Sequence, residues 1–258
     1  MQAVRSKRVA IWFEGEQDFE RLPFKFFIAG ATAFQRSFQF YFPDPPNELT
    51  FEDALKAQRE QRPVFREHFD VYIFITAEHM KGNLFFIEIG PLVHITTNGW
   101  QQNFSPPSVF EYLFHSIMCG SIYALSDGTF QHHDDLTMGC QFEYTRVKEH
   151  DRIDIALGYI CQEHEAQIAT QLGTDVLTDV KRLFKFEWLG SADQAGTVAY
   201  KMKDLFNYDL RTDSGFKKRF LERVQQNIDG FWFDIAKELI KGILLIVVAF
   251  LLFKFGWK

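Results

Sequence analysis

The sequence predicts a mixed α/β (α+β) fold: a central mixed sheet of about five strands with flanking helices, and a C-terminal helix leading into a single transmembrane segment. Three observations carry this expectation. Short runs of β-branched and aromatic residues, RVAIWF at 8–13 and DVYIFIT at 70–76, alternate with spans of helical length. Thirty phenylalanines in 258 residues supply the core of one sizeable domain. The longest uncharged apolar stretch, Gly242 to Phe253, stands at the C-terminal end.

Taken in order, Arg8 to Phe13 predicts a strand and Phe24 to Phe34 a helix. SFQFYF at 37–42 alternates as a half-buried strand does, and the prolines at 43–46 end it. Thr50 followed by Asp53 fits a capping box, so a helix runs from there to about Arg62, before Pro63. Asp70 to Thr76, Phe85 to Ile89 and Val93 to Thr97 predict three more strands, the last two separated by Gly90-Pro91. Ser105-Pro106-Pro107-Ser108 reads as the start of a buried or amphipathic helix over Val109 to Leu125. Cys140 to Tyr144 predicts a short strand or turn, and the acid-rich run His150 to Asp154 a solvated turn. A single helix is expected from about Glu163 to Leu183, and Gly190 to Gly196 reads as a loop.

Phe216, Phe220, Val224, Ile228, Phe231, Ile235 and Leu239 recur at spacings of three and four, one apolar stripe on a helix. It enters Leu239 to Lys258, LIKGILLIVVAFLLFKFGWK. Nineteen helical residues span roughly 28 Å, close to the ~30 Å hydrocarbon core of a bilayer. Lys241 and Lys254 flank the run, and Trp257 is placed as an interfacial anchor. The expected organisation is a soluble α/β sensor domain over 1–190, a linker and amphipathic juxtamembrane helix over 191–238, and a transmembrane tail over 239–258. With no signal-peptide run at the N-terminus, the bulk is expected in the cytoplasm, with Lys217, Lys218, Arg219 and Arg223 on the inner side of a single-pass tail.

A net charge of −6 argues against a nucleic-acid partner, which needs a basic footprint. Three spread cysteines do not form a disulfide framework and fit a reducing compartment. Phosphate-binding GxxxxGK[ST], GxGxxG and GxSxG patterns do not occur. Cys119 lies among Phe114, Ile117, Met118 and Ile122 and is expected in the core. The region richest in chemistry is His132, His133, Cys140, Cys161 and His164. Thiolate and imidazole are the usual zinc ligands, and the two-residue gap lets Cys161 and His164 chelate one ion. A structural zinc would be held by Cys140, Cys161, His164 and one of His132 and His133, with His133 taken as the fourth ligand.

Residues 8 to 185 resemble the archaemetzincin-like branch of the zincin metallopeptidases. That resemblance rests on strands 70–76 and 93–97, the helix run Glu111-Tyr112-Leu113-Phe114-His115, and the cysteine–histidine region after it. It implies alternating strands and helices, an HExxHxxGxxH helix, and a second zinc held by downstream cysteines. Here Glu111 stands at the first histidine, Tyr112 at the catalytic glutamate, and Met118 and Ser121 at the glycine and third histidine. Only His115 matches, so the resemblance implies a degenerate scaffold without a hydrolytic zinc. Glu111 and His115 would then share one helix face.

Functionally, these observations predict a tail-anchored, non-catalytic sensor or interaction protein that self-associates and answers to a small-molecule or protein trigger. Its layout resembles that of bacterial antiviral-type effectors, whose clustered tails disrupt the bilayer. The alternative is a membrane-tethered, zinc-dependent hydrolase.

Overall fold

The computed structural model describes residues 5–43, 49–60, 62–63, 67–100, 107–126, 129–130, 133–134, 139–144 and 148–217. The chain divides into two compact units, Met1–Phe216 and Lys217–Lys258. The membrane tail expected at 239–258 and the stripe beyond Phe216 lie outside the described residues. Among the described residues no helix is long and apolar enough to cross a membrane.

The order of elements is β1 (Lys7–Phe13), α1 (Arg21–Phe34), β2 (Phe38–Tyr41), α2 (Phe51–Arg59), β3 (Val71–Thr76), β4 (Phe86–Ile89), β5 (Leu92–Thr96), α3 (Val109–Leu125), β6 (His133–Asp134), β7 (Glu143–Tyr144), α4 (Lys148–Leu157), α5 (Gln162–Gln171), α6 (Thr174–Phe184) and α7 (Val198–Phe206). Five strands form a sheet in the order β2-β1-β3-β5-β4. β1 pairs parallel with β2 and β3, and β3 parallel with β5; β4 returns antiparallel to β5 through the tight turn at Gly90-Pro91. The mixed sheet of five strands expected from the sequence is thus present.

The pleat sorts the side chains of each strand to two faces. Val9 and Ile11, Val71, Ile73 and Ile75, and Val93 and Ile95 belong to the larger core, together with α1 and α3. Ala10, Trp12, Phe74 and Leu92 belong to a smaller one under α2, with Phe51, Ala54 and Leu55. The helix α2 is fixed there by its Thr50–Asp53 capping box and by the Glu14 carboxylate, which accepts from the backbone N–H of Phe51. Glu14 also holds His94 of β5 at 2.7 Å, and His94 stacks on Phe51. Both faces of the parallel strands are therefore covered, which explains their continuous apolar runs.

In α3, all residues but Glu111 and Leu125 are buried. One side lies on β3, β4 and β5, where Gly120 allows a close approach: a Cβ there would stand 2.5 Å from Val93 Cγ1. The other sides meet aromatic rings, with Phe110 and Phe114 packed among Phe24, Phe27, Phe186 and Trp188. Much of the phenylalanine excess is used in this cluster.

Three expectations are corrected. The 163–183 helix is two helices, α5 and α6, divided at Gly173, whose φ of 107° a helix cannot contain. The run His150 to Asp154 is part of α4, and Asp154 is buried. The stretch expected as a linker from residue 191 carries α7, which packs on α1: Gly30 meets Val198, and the Phe26 and Phe206 rings are 5.4 Å apart. The first unit closes at Phe216, where Val109 N–H donates to Ser214 O at 2.7 Å and Phe216 bridges to Phe19.

Replacing Gly120→Ala should overpack the helix–sheet seam. The expected loss is about 1–3 kcal/mol of stability, read as a fall in thermal unfolding temperature; an unchanged value would place α3 farther from β5 than described.

Candidate metal centre

The centre is built where three segments meet. Gly139, at φ +100°, turns the chain into Cys140, which forms a parallel bridge with Tyr159. α4 then ends at Gly158, whose N–H donates to Asp154 O at 3.0 Å. Gly158 has φ +58°, and a Cβ there would stand 2.5 Å from Phe184 O, so the turn admits only glycine. Tyr159 and Ile160 therefore run beside Cys140 and deliver Cys161 to the N-cap of α5.

At a helix start, the N-cap and N3 side chains lie within reach of each other, as in the Thr50–Asp53 and Ser108–Glu111 capping boxes. In α5 the same two places hold Cys161 and His164, and Cys161 makes no capping hydrogen bond. The spacing that elsewhere closes a capping box here brings a thiol to an imidazole. Cys140 Sγ and Cys161 Sγ each lie 3.2 Å from His164 Nδ1, and Cys161 N–H points at Cys140 Sγ at 3.4 Å.

The three donor atoms lie within 4.8 Å of one another, and all three residues are buried. Tetrahedral zinc with Zn–S near 2.3 Å and Zn–N near 2.1 Å separates a sulfur from a nitrogen by about 3.6 Å. The trio thus needs to open by only a few tenths of an ångström. His164 is set by Phe130, stacked on its ring at 5.1 Å, and by Phe142 at 5.3 Å. Burial pushes the Cys140 thiol up to about 11, partly offset by backbone N–H groups of Cys161 and Phe142. A cation would reverse that balance, since a coordinating thiol is deprotonated. The buried Cys2His set fits a zinc site.

Of the four residues expected as ligands, the structure brings together Cys140, Cys161 and His164. The backbone of His133 lies in β6, paired in parallel register with Glu143 of β7, three residues from Cys140. The side chain of His133, and the whole of His132, lie outside the described residues.

The helix compared with the zincin motif holds no second set of ligands. Glu111 Oε2 accepts from the N–H of Ser108 at 2.6 Å and closes the cap. Tyr112, at the catalytic glutamate's place, donates to Thr96 O at 2.6 Å and stacks on Trp100. Met118 and Ser121 are fully buried. His115 is buried, its pKa driven down to about 4 by burial, and its Nδ1 lies 2.7 Å from Gln141 Oε1. Cys119 is a core residue, as expected, with its thiol 3.1 Å from Gln141 O.

Two buried polar residues beside the centre escape a sequence reading. Gln141 and Asp154 look like solvent residues and are 3% exposed each. The only signal was Gln141's position between Cys140 and Phe142. Among the described residues, Asp154 Oδ1 has no hydrogen-bond partner, and neither does the buried Oε2 of Glu143 nearby. Burial first, then the charge of Glu143, raise the Asp154 pKa to about 7, against a smaller opposing pull from Gly139 N–H.

No protein-family profile matches the chain, and a search of curated proteins finds no match. Among solved structures, the chain is similar to archaemetzincin from Methanopyrus kandleri, with a TM-score of 0.43 and 11% identity over 68% of this chain and 95% of that one. The zinc assignment stands on the donor set itself.

Asp154 yields a pH prediction. Its folded pKa lies above its unfolded value, so the native state holds the extra proton and stability falls as pH rises from about 4 to about 7. Asp154→Asn should flatten that slope and raise stability at pH 8 by on the order of 2 kcal/mol in zinc-saturated protein. Parallel stability–pH curves for the two proteins would rule this out.

Proposed function

We propose that this protein is a non-catalytic sensor or interaction domain stapled by a structural zinc and held at a membrane by its C-terminal tail. The single observation that carries the zinc part is the burial of Cys140, Cys161 and His164 as one cluster inside the core. An enclosed thiolate–imidazole set suits a structural ion better than a working one, which needs substrate access. Such an ion would join the Cys140 turn to the start of α5.

The sensor part is supported by a cavity of about 530 Å³ lined by Gln58, Arg62, Phe69, Asp70, Tyr72 and Leu92, a size that suits a small-molecule trigger. The tail part is supported by sequence: a short, lysine-flanked span at 239–258 preceded by an apolar stripe. By layout, clustering of such tails through self-association would disturb the bilayer, as in an antiviral-type effector. A second reading, a membrane-tethered zinc hydrolase, is favoured by the count of three donors among the described residues, the number catalytic zinc sites use.

Elemental analysis of the purified full-length protein should find one zinc per chain, lost in Cys161→Ser. Chelation should lower the unfolding temperature by roughly 10 °C, as expected for removal of a ligand present at about a thousandfold over its Kd. Metal-free protein of unchanged stability would end the zinc reading. Peptide hydrolysis by the zinc-loaded protein, abolished by His164→Ala, would establish the second reading instead.

The full chain should partition into anionic vesicles and, once triggered, release an entrapped dye, while a chain ending at Phe216 should do neither. Equal behaviour of the two chains would remove the tail from the mechanism.

A further inference from the structure

Gln141 follows a metal-donor cysteine and uses every polar group it has. Its N–H donates to Tyr159 O at 2.8 Å, and its carbonyl oxygen accepts from the Cys119 thiol at 3.1 Å. Its Nε2 donates to the backbone oxygen of Asp154 in α4, and its Oε1 meets His115 Nδ1 of α3 at 2.7 Å. These contacts fix the assignments. A backbone oxygen can only accept, so the amide nitrogen faces Asp154 and Oε1 faces His115. His115 must then donate from Nδ1–H, as a neutral ring does in one of its two tautomers.

The side chain therefore spans from α3 to α4, with the backbone of the Cys140 turn hung on it. That turn is also held by Phe142, packed among Tyr123, Phe130 and Phe184. β7 is two residues long, and Cys140 meets the chain beside it through a single bridge to Tyr159. The distance between the Cys140 and Cys161 sulfurs depends on where the turn sits against residues 159–161.

Resting on the zinc reading above, we propose that Gln141 and His115 are positioning residues for the metal. The hydrogen bond from His115 to Gln141 holds Cys140 at the separation from Cys161 and His164 that an ion requires. The one histidine on the zincin-like helix thus serves a metal it does not touch, through a glutamine next to the ligand. Residues that orient ligands from behind typically change metal affinity by about 10- to 100-fold when removed.

The test is zinc affinity in the full-length protein, measured by competition with a chromophoric chelator, together with the cobalt(II) absorption spectrum. Gln141→Leu keeps the volume and removes the hydrogen bonds; it should weaken zinc binding by about 10- to 100-fold and shift the cobalt bands. His115→Ala should do the same in direction. His115→Asn, whose amide can donate from near the Nδ1 position, should restore most of the affinity. The double variant His115→Ala/Gln141→Leu should bind no worse than Gln141→Leu alone, since both remove one coupling.

If wild type binds zinc while both single variants stay within about twofold of it with unchanged cobalt spectra, the positioning role is wrong and the zinc site stands. If wild type binds no zinc, the site itself fails and the inference with it. Should Gln141→Leu not fold, the comparison of His115→Ala with His115→Asn decides alone: equal affinities overturn the proposal.

Discussion

Enclosure of α3 is the constraint on which the rest of the molecule depends. A helix buried on nearly every side cannot be covered by one neighbour, so the chain before it and the chain after it must both supply walls. The strands β3, β4 and β5 supply one. The first helix and the aromatic residues after α6 supply another, through Phe24, Phe27, Phe186 and Trp188. The turn carrying Cys140 and Gln141 closes the remaining side against His115 and Cys119. Fold and metal centre are thus one packing problem, and the centre sits where a polar part of α3 meets the last wall.

That arrangement decides what the polar residues of α3 can do. Tyr112 turns its hydroxyl to β5 and Glu111 caps its own helix, so neither group faces a cleft. His115 is held neutral by burial and tied to an amide. What is left is a donor of one well-placed hydrogen bond, useful for holding a loop and unsuited to activating water.

Much of this was legible in the chain. Periodicity located β1, β3, β5 and all of α3, because buried strands and long helices carry their burial in their own residue patterns. The Cys161–His164 spacing pointed to a chelate because both residues sit on one helical turn. The failures have physical causes. α4 is polar on most of its length, so an acid-rich stretch hid a helix whose Asp154 points inward. The break at Gly173 interrupts a stretch whose apolar spacing reads as continuous. The role of Gln141 depends on partners 26 residues before it and 13 after, which no local window contains.

The position of β1 has a consequence for how the protein is made. It lies inside the sheet, and its partner β3 is 62 residues farther along the chain in the register Val9–Val71. β2 and α1 follow β1 closely, but the pairing with β3 and the cover from α2 and α3 come from farther along the chain. High contact order of this kind slows folding and leaves sticky strands open to wrong pairing. The whole sheet and α3 precede Cys161 and His164 in the chain, so these layers can close before the donors exist to bind anything.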